Sequence, residues 1–137
     1  MNGWTDNDLE LAWAAGFFDG EGSIYVVHKK RCKGGTTGKY YPNTGVELSI
    51  SQIHPQPLER FLSAVKTGSM SGPYKPKKEN HSPYWRWNTA GRPTTYKVVC
   101  LLWPFLSTPK REQIKRCWEE LKRCKSKKSP QLQELPL

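Results

Sequence analysis

Residues 14–23 read AAGFFDGEGS, an apolar run that leads directly into two acids, Asp19 and Glu21, separated by glycine. The segment 9–18 is apolar enough to form a buried helix, and the glycines that follow favour its termination. A threonine followed three residues later by an aspartate, just ahead of this segment, resembles a capping box. The sequence therefore predicts an N-terminal helix whose last turn presents two carboxylates.

This predicted helix has two sides that require a packing partner. Small residues recur every four positions on one side and would let a second helix approach closely: Ala12, Gly16 and Gly20. Large apolar residues line another side and are predicted to enter the core of the domain: Leu9, Trp13 and Phe17. No second helix of this kind occurs in the chain, so we expect another copy of the chain as the second partner. Its predicted interface contains Ala12, Gly16, Asp19 and Gly20, although close packing within one monomer explains the spacing about as well.

The two acids suggest a metal site if two such helices end together. A two-fold axis between paired helices would bring two copies of Glu21 close to each other. Because like charges in proximity are costly, a divalent cation commonly offsets them, and oxygen ligands with waters and phosphate oxygens suit Mg²⁺. The plain alternative is that Asp19 and Glu21 are solvated acids in a turn.

The charge of the chain points to a polyanionic partner. The 137 residues hold 22 Lys and Arg against 12 Asp and Glu, a formal net charge of +10. The bases are concentrated in 28–43 and 75–92, where aromatic residues are interleaved with them. Neutralising phosphates with such a surface releases condensed counterions, which favours nucleic acid as the partner. A charge run can also be an ordinary solvated face.

The length of the chain allows one domain, expected over residues 1–125, followed by an unstructured tail over 126–137. No apolar run approaches the roughly 20 residues that span a bilayer, and no basic segment precedes an apolar run at the start. We therefore expect an intracellular protein with no membrane partner. The four cysteines form no CxxC pair and are interpreted as reduced thiols in the core.

Hydrophobic periodicity predicts the order αββαββα plus one more helix. Two strands follow the first helix, SIYVVHKKR (23–31) and GVELSISQ (45–52), with a loop over 33–45 between them. A helix in PLERFLSAVK (57–66) precedes a second hairpin over 70–78 and 84–89. A third helix begins at Pro93 and ends near Pro104, and a last one begins at Thr108. The predicted fold class is α+β, with a four-stranded, mostly antiparallel, saddle-shaped sheet.

AAGFFDGEG (14–22) is similar, position by position, to the signature nonapeptide of the LAGLIDADG homing endonucleases. Gly16, Asp19 and Gly22 match its glycines and first acid, and Glu21 occupies its final acidic position. The element order and the length resemble a single-motif member, and the similarity covers roughly residues 5–120. Two features depart from the family: Glu replaces the commoner Asp at 21, and HPQP (54–57) lengthens the link into the second helix.

The resemblance implies a homodimeric, site-specific endonuclease that hydrolyses both strands of DNA at a long pseudo-palindromic site. The implied cofactor is Mg²⁺, for which Mn²⁺ can substitute, held by the Glu21 carboxylate and the Gly20 carbonyl. By similarity Gln52 orders water near the metal, and Lys110 lines the water pocket and stabilises developing charge. The spacing leaves the register open, so Arg111 or Gln113 could replace Lys110. Asp19 resembles a structural acid at the helix end more than a ligand.

Base readout would fall to residues that alternation places on the outward face of the sheet: Tyr25, Lys29, Arg31, Glu47, Ser49, Arg86 and Asn88. Phosphate contacts are expected from the lysines around these strands: Lys33, Lys39, Lys75, Lys77 and Lys78. Any one of these residues could instead be an ordinary solvated strand position.

Two functions of other classes stay open at this point. One is a nucleic-acid binding protein on the same scaffold that does not cleave, either a maturase with intron RNA as its partner or a DNA-binding regulator. The other is a basic structural protein in which the glycine-rich turn is incidental.

Overall fold

The N-terminal helix, α1, spans Asp6–Glu21 in the computed structural model. At its start the Thr5 hydroxyl accepts a hydrogen bond from the Asp8 N–H at 3.0 Å, and the Asp8 carboxylate accepts one from the Thr5 N–H at 3.0 Å, which confirms the capping box. At its end the Gly22 N–H donates to the Phe18 carbonyl. A Cβ at Gly22 would lie 2.2 Å from the Phe18 ring, so only glycine fits where α1 passes into the first strand.

The structure describes residues 3–32, 40–123 and 134–136, with the backbone alone at 29–32 and 40–43. After α1 come β1 (Gly22–Cys32), β2 (Tyr40–Gln52), α2 (Pro55–Val65), β3 (Ser69–Tyr74), β4 (Tyr84–Asn88), α3 (Arg92–Leu102), a 3-10 turn (Trp103–Phe105) and α4 (Thr108–Arg123). Within these ranges no helix is both long and apolar enough to cross a membrane. The boundary expected at residues 125 and 126 lies outside the described ranges.

The four strands form one sheet in the order β1-β2-β4-β3, and every neighbouring pair is antiparallel. The predicted α+β fold with αββαββα order and a further C-terminal helix is therefore confirmed. The loop expected over 33–45 is wrong from Tyr40 onward, because β2 already pairs there with β1. Pro42, Asn43 and Gly45 look like turn residues locally, but the partner strand keeps this segment extended.

The helices cover one face of the sheet, and the core lies between them. Val46, Leu48 and Ile50 are fully buried on β2, as period-two alternation predicts. The Phe61 ring on α2 meets the Trp87 indole on β4 edge-on at 4.6 Å between centroids. A smaller cluster forms where Trp118 and Leu121 of α4 pack on Val46, so α4 closes the other end of the same face.

The prediction that Leu9 enters the core is wrong. The core side of α1 is formed by other residues, Leu11, Ala14, Ala15 and Phe18, while Leu9 is 55% exposed. Seven residues make two helical turns, so Leu9 lies on the same side as Gly16, and Leu11 on the same side as Phe18. Trp13 and Phe17 are partly buried at the edge of the core, as expected, and their rings stack at 5.2 Å.

Gly68 lies in the turn between α2 and β3 at a φ of +89°, a conformation that side chains rarely adopt. A Cβ there would meet Trp87 Nε1 at 2.5 Å, at the nitrogen that donates to the Thr67 carbonyl at 3.1 Å. We predict that Gly68→Ala lowers the free energy of unfolding by about 1–3 kcal/mol, measured by chemical denaturation.

The matched control is Gly45→Ala, because a Cβ at Gly45 meets no atom within 4 Å in the part of the chain that the structure describes. Its free energy of unfolding should stay within about 0.5 kcal/mol of the parent. Equal losses in the two variants would contradict the role assigned to the turn at Gly68.

Candidate active site and nucleic-acid interface

The last residue of α1 meets the last residue of β2. Gln52 Nε2 donates a hydrogen bond to Glu21 Oε2 at 3.2 Å, across 31 residues of sequence. The Glu21 side chain is exposed, and its second carboxylate oxygen makes no hydrogen bond with the described residues. Two of the predicted site residues are thus in contact, and one carboxylate oxygen remains open to solvent.

The contact between Glu21 at the end of α1 and Gln52 at the end of β2 forms a junction, and Lys110 reaches this junction from the first turn of α4. Its Nζ donates to the Gly22 carbonyl at 3.0 Å and to Gln113 Oε1 at 3.2 Å. The side chain is 8% exposed and lies 5.4 Å from the centroid of the Phe18 ring. Because Gly22 directly follows Glu21, the structure brings Lys110, Glu21 and Gln52 together at the end of α1.

The two alternatives to Lys110 have other contacts. Arg111 donates from Nε and Nη2 to the Trp103 carbonyl at 3.0 and 2.7 Å, so its guanidinium is directed to the 3-10 turn. Gln113 contacts the junction through the Lys110 amine. Of the three residues that the sequence left open, Lys110 is therefore the one whose charge lies beside the end of α1.

Asp19 is paired within its own chain. Its carboxylate accepts hydrogen bonds from the Ser107 N–H at 3.1 and 3.3 Å and from the Ser107 hydroxyl at 3.0 Å. Sequence reasoning missed Ser107, although Ser-Thr-Pro at 107–109 is a typical start of a helix and indicates a capping serine. The expectation that Asp19 also lines a dimer interface stays a prediction.

The donors at this junction fit a hydrated Mg²⁺ better than a cage made by one chain. Among the described residues no group of three or more His, Cys, Asp or Glu side chains could hold a metal ion. Glu21 offers a carboxylate oxygen, and Gly20 lies in the last turn of α1, where carbonyls have no partner further along the helix. Mg²⁺ keeps several waters and binds through one or two carboxylates, so water, phosphate or a second chain would complete its ligands.

The outer face of the sheet carries short polar side chains in register. The first row crosses all four strands and contains four residues that lie opposite one another: Ser23, Ser49, Asn88 and Ser69. A second row lies two residues further along β2, toward the end of the strand, and contains Ser51, Arg86 and Ser71. Tyr25 lies opposite Glu47 on the other side of the first row. The register therefore puts five predicted readout residues on the face opposite the helices: Tyr25, Glu47, Ser49, Arg86 and Asn88.

The structure describes five of the seven remaining predicted contacts. Lys75, Lys77 and Lys78 are exposed in the connection between β3 and β4. The backbone of Lys29 and Arg31 lies in β1, opposite Asn43 and Tyr41. Lys33 and Lys39 lie outside the described residues.

Sequence reasoning did not include Tyr74 or the other four serines of the two rows among the candidates: Ser23, Ser51, Ser69 and Ser71. Tyr74 is exposed on β3, its hydroxyl lies 2.6 Å from Ser71 Oγ, and its ring lies 5.5 Å from that of Tyr84. Alternation along β3 is obscured by Pro73 and by a register shift between Ser71 and Tyr74, so the pattern alone does not reveal this position.

No protein-family model matches the sequence, and no curated protein matches it as a sequence relative. Solved homing endonucleases share its structure at low identity. The endonuclease I-CvuI in complex with its target is 22% identical, with a TM-score of 0.61 over 85% of this chain and 68% of that chain. I-TnaI is 25% identical, with a TM-score of 0.58 over 81% and 70%. The LAGLIDADG meganuclease I-AabMI bound to uncleaved DNA is 15% identical, with a TM-score of 0.58 over 82% and 35%. The chain therefore has the fold of the LAGLIDADG homing endonucleases.

Proposed function

We propose that the protein is a site-specific, Mg²⁺-dependent double-strand DNA endonuclease of the single-motif LAGLIDADG type, which acts as a homodimer. The observation that carries this proposal is the meeting of Glu21, Gln52 and Lys110 at one end of α1, on a homing-endonuclease fold. One structure of I-CvuI contains the I-CreI target, not cleaved, in the presence of Mg, and another contains its own target in the presence of Ca. These neighbours support DNA as the partner and a divalent cation as the cofactor.

The outer face of the sheet would bind the DNA duplex. A pair of antiparallel strands fits the major groove, and arginine and asparagine commonly pair with guanine and adenine there. Arg86 and Asn88 lie on this face of β4, beside Ser51 and Ser49 of β2. The exposed Lys75, Lys77 and Lys78 would contact phosphates, which position the protein without reading sequence.

The uncovered side of α1 would form the dimer interface. Leu9, Gly16 and Gly20 are exposed on this side, and beyond the backbone of α1 itself a Cβ at either glycine meets no atom of the described residues within 4 Å. Two copies packed through this side about a two-fold axis would end together, with the two Glu21 side chains near each other. This symmetry predicts a pseudo-palindromic target, with one half-site for each chain.

The residues at the end of α1 would have separate roles in the reaction. The Glu21 carboxylate and the Gly20 carbonyl would hold Mg²⁺, and when bound the ion would supply activation of water and stabilisation of the leaving oxygen for phosphodiester hydrolysis. Gln52 orients the Glu21 carboxylate through its 3.2 Å hydrogen bond. The buried Lys110 ammonium supplies a positive charge beside the same turn, where it can stabilise charge that develops on the phosphate.

We predict that Glu21→Gln lowers the cleavage rate by about 10³-fold or more while DNA binding stays within about threefold, because the amide keeps the shape but loses the charge that holds the cation. Duplexes enriched by binding from a randomised library in Ca²⁺ provide the substrate. Cleavage is then measured after transfer into Mg²⁺, and affinity is measured in Ca²⁺.

Glu59→Gln is the control, since Glu59 is an exposed acid on α2 that is not among the described contacts of Glu21, Gln52 or Lys110. Cleavage by Glu21→Gln at the parent rate would contradict the proposal, and so would loss of binding in a folded variant. Binding without cleavage by the parent protein would instead indicate a non-cleaving maturase or regulator.

We predict that Gly16→Leu converts a dimer into a monomer without unfolding the chain. A Cβ at Gly16 has open space among the described residues, whereas the larger leucine side chain would obstruct close approach of a second helix. Sedimentation should show the parent at twice the 15.8 kDa chain mass and the variant at the chain mass. Arg116→Leu, which adds the same side chain to an exposed position on α4, should remain dimeric. A dimeric Gly16→Leu protein would exclude this side of α1 as the interface.

A further inference from the structure

We infer that Asp19 is a positioning residue, which holds the first turn of α4 through Ser107 so that the Lys110 ammonium stays beside Glu21. The effect of this arrangement on catalysis rests on the endonuclease function proposed above. The positioning itself is a property of the fold and can be measured without DNA.

Asp19 binds both the backbone and the side chain of Ser107. Ser107 donates to this one carboxylate from both its N–H, at 3.1 and 3.3 Å, and its hydroxyl, at 3.0 Å. These bonds join positions 88 residues apart in the sequence. Hydrogen bonds to an ionised acceptor are roughly twice as strong as neutral ones, so the carboxylate is a strong anchor for Ser107.

Ser107 in turn caps α4. Its carbonyl accepts from the Arg111 N–H at 3.0 Å, and its hydroxyl oxygen accepts from the Lys110 N–H at 3.4 Å. A capping side chain defines where a helix begins, and a carboxylate close to a helix N-terminus is favourable for the helix dipole. Asp19 therefore sets the start of the helix that carries Lys110.

The Lys110 side chain completes a closed chain of contacts. Its Nζ returns to the Gly22 carbonyl at 3.0 Å, three residues after Asp19. The contacts run from Asp19 to Ser107, along one turn of α4 to Lys110, and back to the end of α1. Glu21 lies between Asp19 and Gly22, the two residues of α1 and β1 that these contacts hold. The same few residues therefore determine the placement of Glu21 and of the Lys110 ammonium.

The two acids of the turn thus have different partners. Residues two apart on a helix point about 200° apart, since each residue turns by about 100°. Asp19 contacts Ser107 at the start of α4, whereas Glu21 contacts Gln52 at the end of β2. A displacement of reacting groups by about 1 Å can lower a rate about 100-fold, so loosening of α4 should reduce catalysis without removing any group.

The experiment compares Asp19→Ala and Asp19→Asn with the parent chain. Reductive methylation of lysines in the protein without DNA, followed by mass spectrometry, reports the accessibility of each amine. Lys110 is buried and should react slowly in the parent, whereas Lys97 is exposed on α3 and provides the internal reference. In Asp19→Ala we expect methylation of Lys110 to accelerate at least about fivefold with Lys97 unchanged, and in Asp19→Asn, which keeps one acceptor, by less.

The same variants are assayed for single-turnover cleavage at saturating DNA. We expect the rate constant to fall about 10-fold to 100-fold in Asp19→Ala, with the Kd for DNA unchanged. Asp6→Ala, which removes a carboxylate from the first turn of the same helix, should change neither methylation nor cleavage. If Asp19→Ala does not fold, Ser107→Ala removes the capping hydroxyl alone and is read in the same two assays.

The outcomes separate this inference from the function on which it rests. Selective acceleration at Lys110 together with a slower cleavage step supports it. Unchanged methylation of Lys110 overturns it, and so does equal acceleration at Lys110 and Lys97, which would indicate general loosening. Faster methylation of Lys110 alone, with an unchanged cleavage rate, also overturns the effect of this positioning on catalysis. If the parent does not cleave any DNA, selective acceleration still supports the positioning, and it is the proposed function that fails.

Discussion

Two charged side chains hold the end of α1 against the start of α4. The Asp19 carboxylate lies at the N-terminus of α4, and the Lys110 ammonium lies at the C-terminal end of α1, so each charge complements a helix dipole. Both helices also pack on the core, where Lys110 covers the buried Phe18 ring. The candidate site depends on this contact between α1 and α4, because Glu21 and the Gly22 carbonyl belong to the same turn.

The surface of α1 has three parts with different surroundings. One side enters the core through Phe18, the last turn contacts α4 and β2, and a third side leaves Gly16 and Gly20 uncovered. The sheet presents its polar face away from the helices. Under the proposed function, symmetry brings these parts together: paired helices place two carboxylates near each other, while the two sheets present matching surfaces to one duplex.

The sequence predicts the fold well where one pattern decides it. Alternation along β2 identifies its buried face, and the capping box locates the start of α1. The errors arise where a distant contact decides the structure: pairing with β1 extends β2 back to Tyr40, and the helix rotation exposes Leu9. The site shows the same limit. The contact of Asp19 spans 88 residues, and the choice of Lys110 over its neighbours depends on how the start of α4 packs. No local pattern contains this information.

The measurement that tests the central claim most directly is cleavage of a randomised duplex library by the purified protein in Mg²⁺, with both strands of every cut end sequenced. The account predicts breaks in both strands, at positions related by two-fold symmetry within one enriched pseudo-palindromic sequence. Cuts without that symmetry would contradict pairing through α1. The absence of any cut, from a protein that binds the library, would contradict the assignment of the α1 junction as a nuclease site.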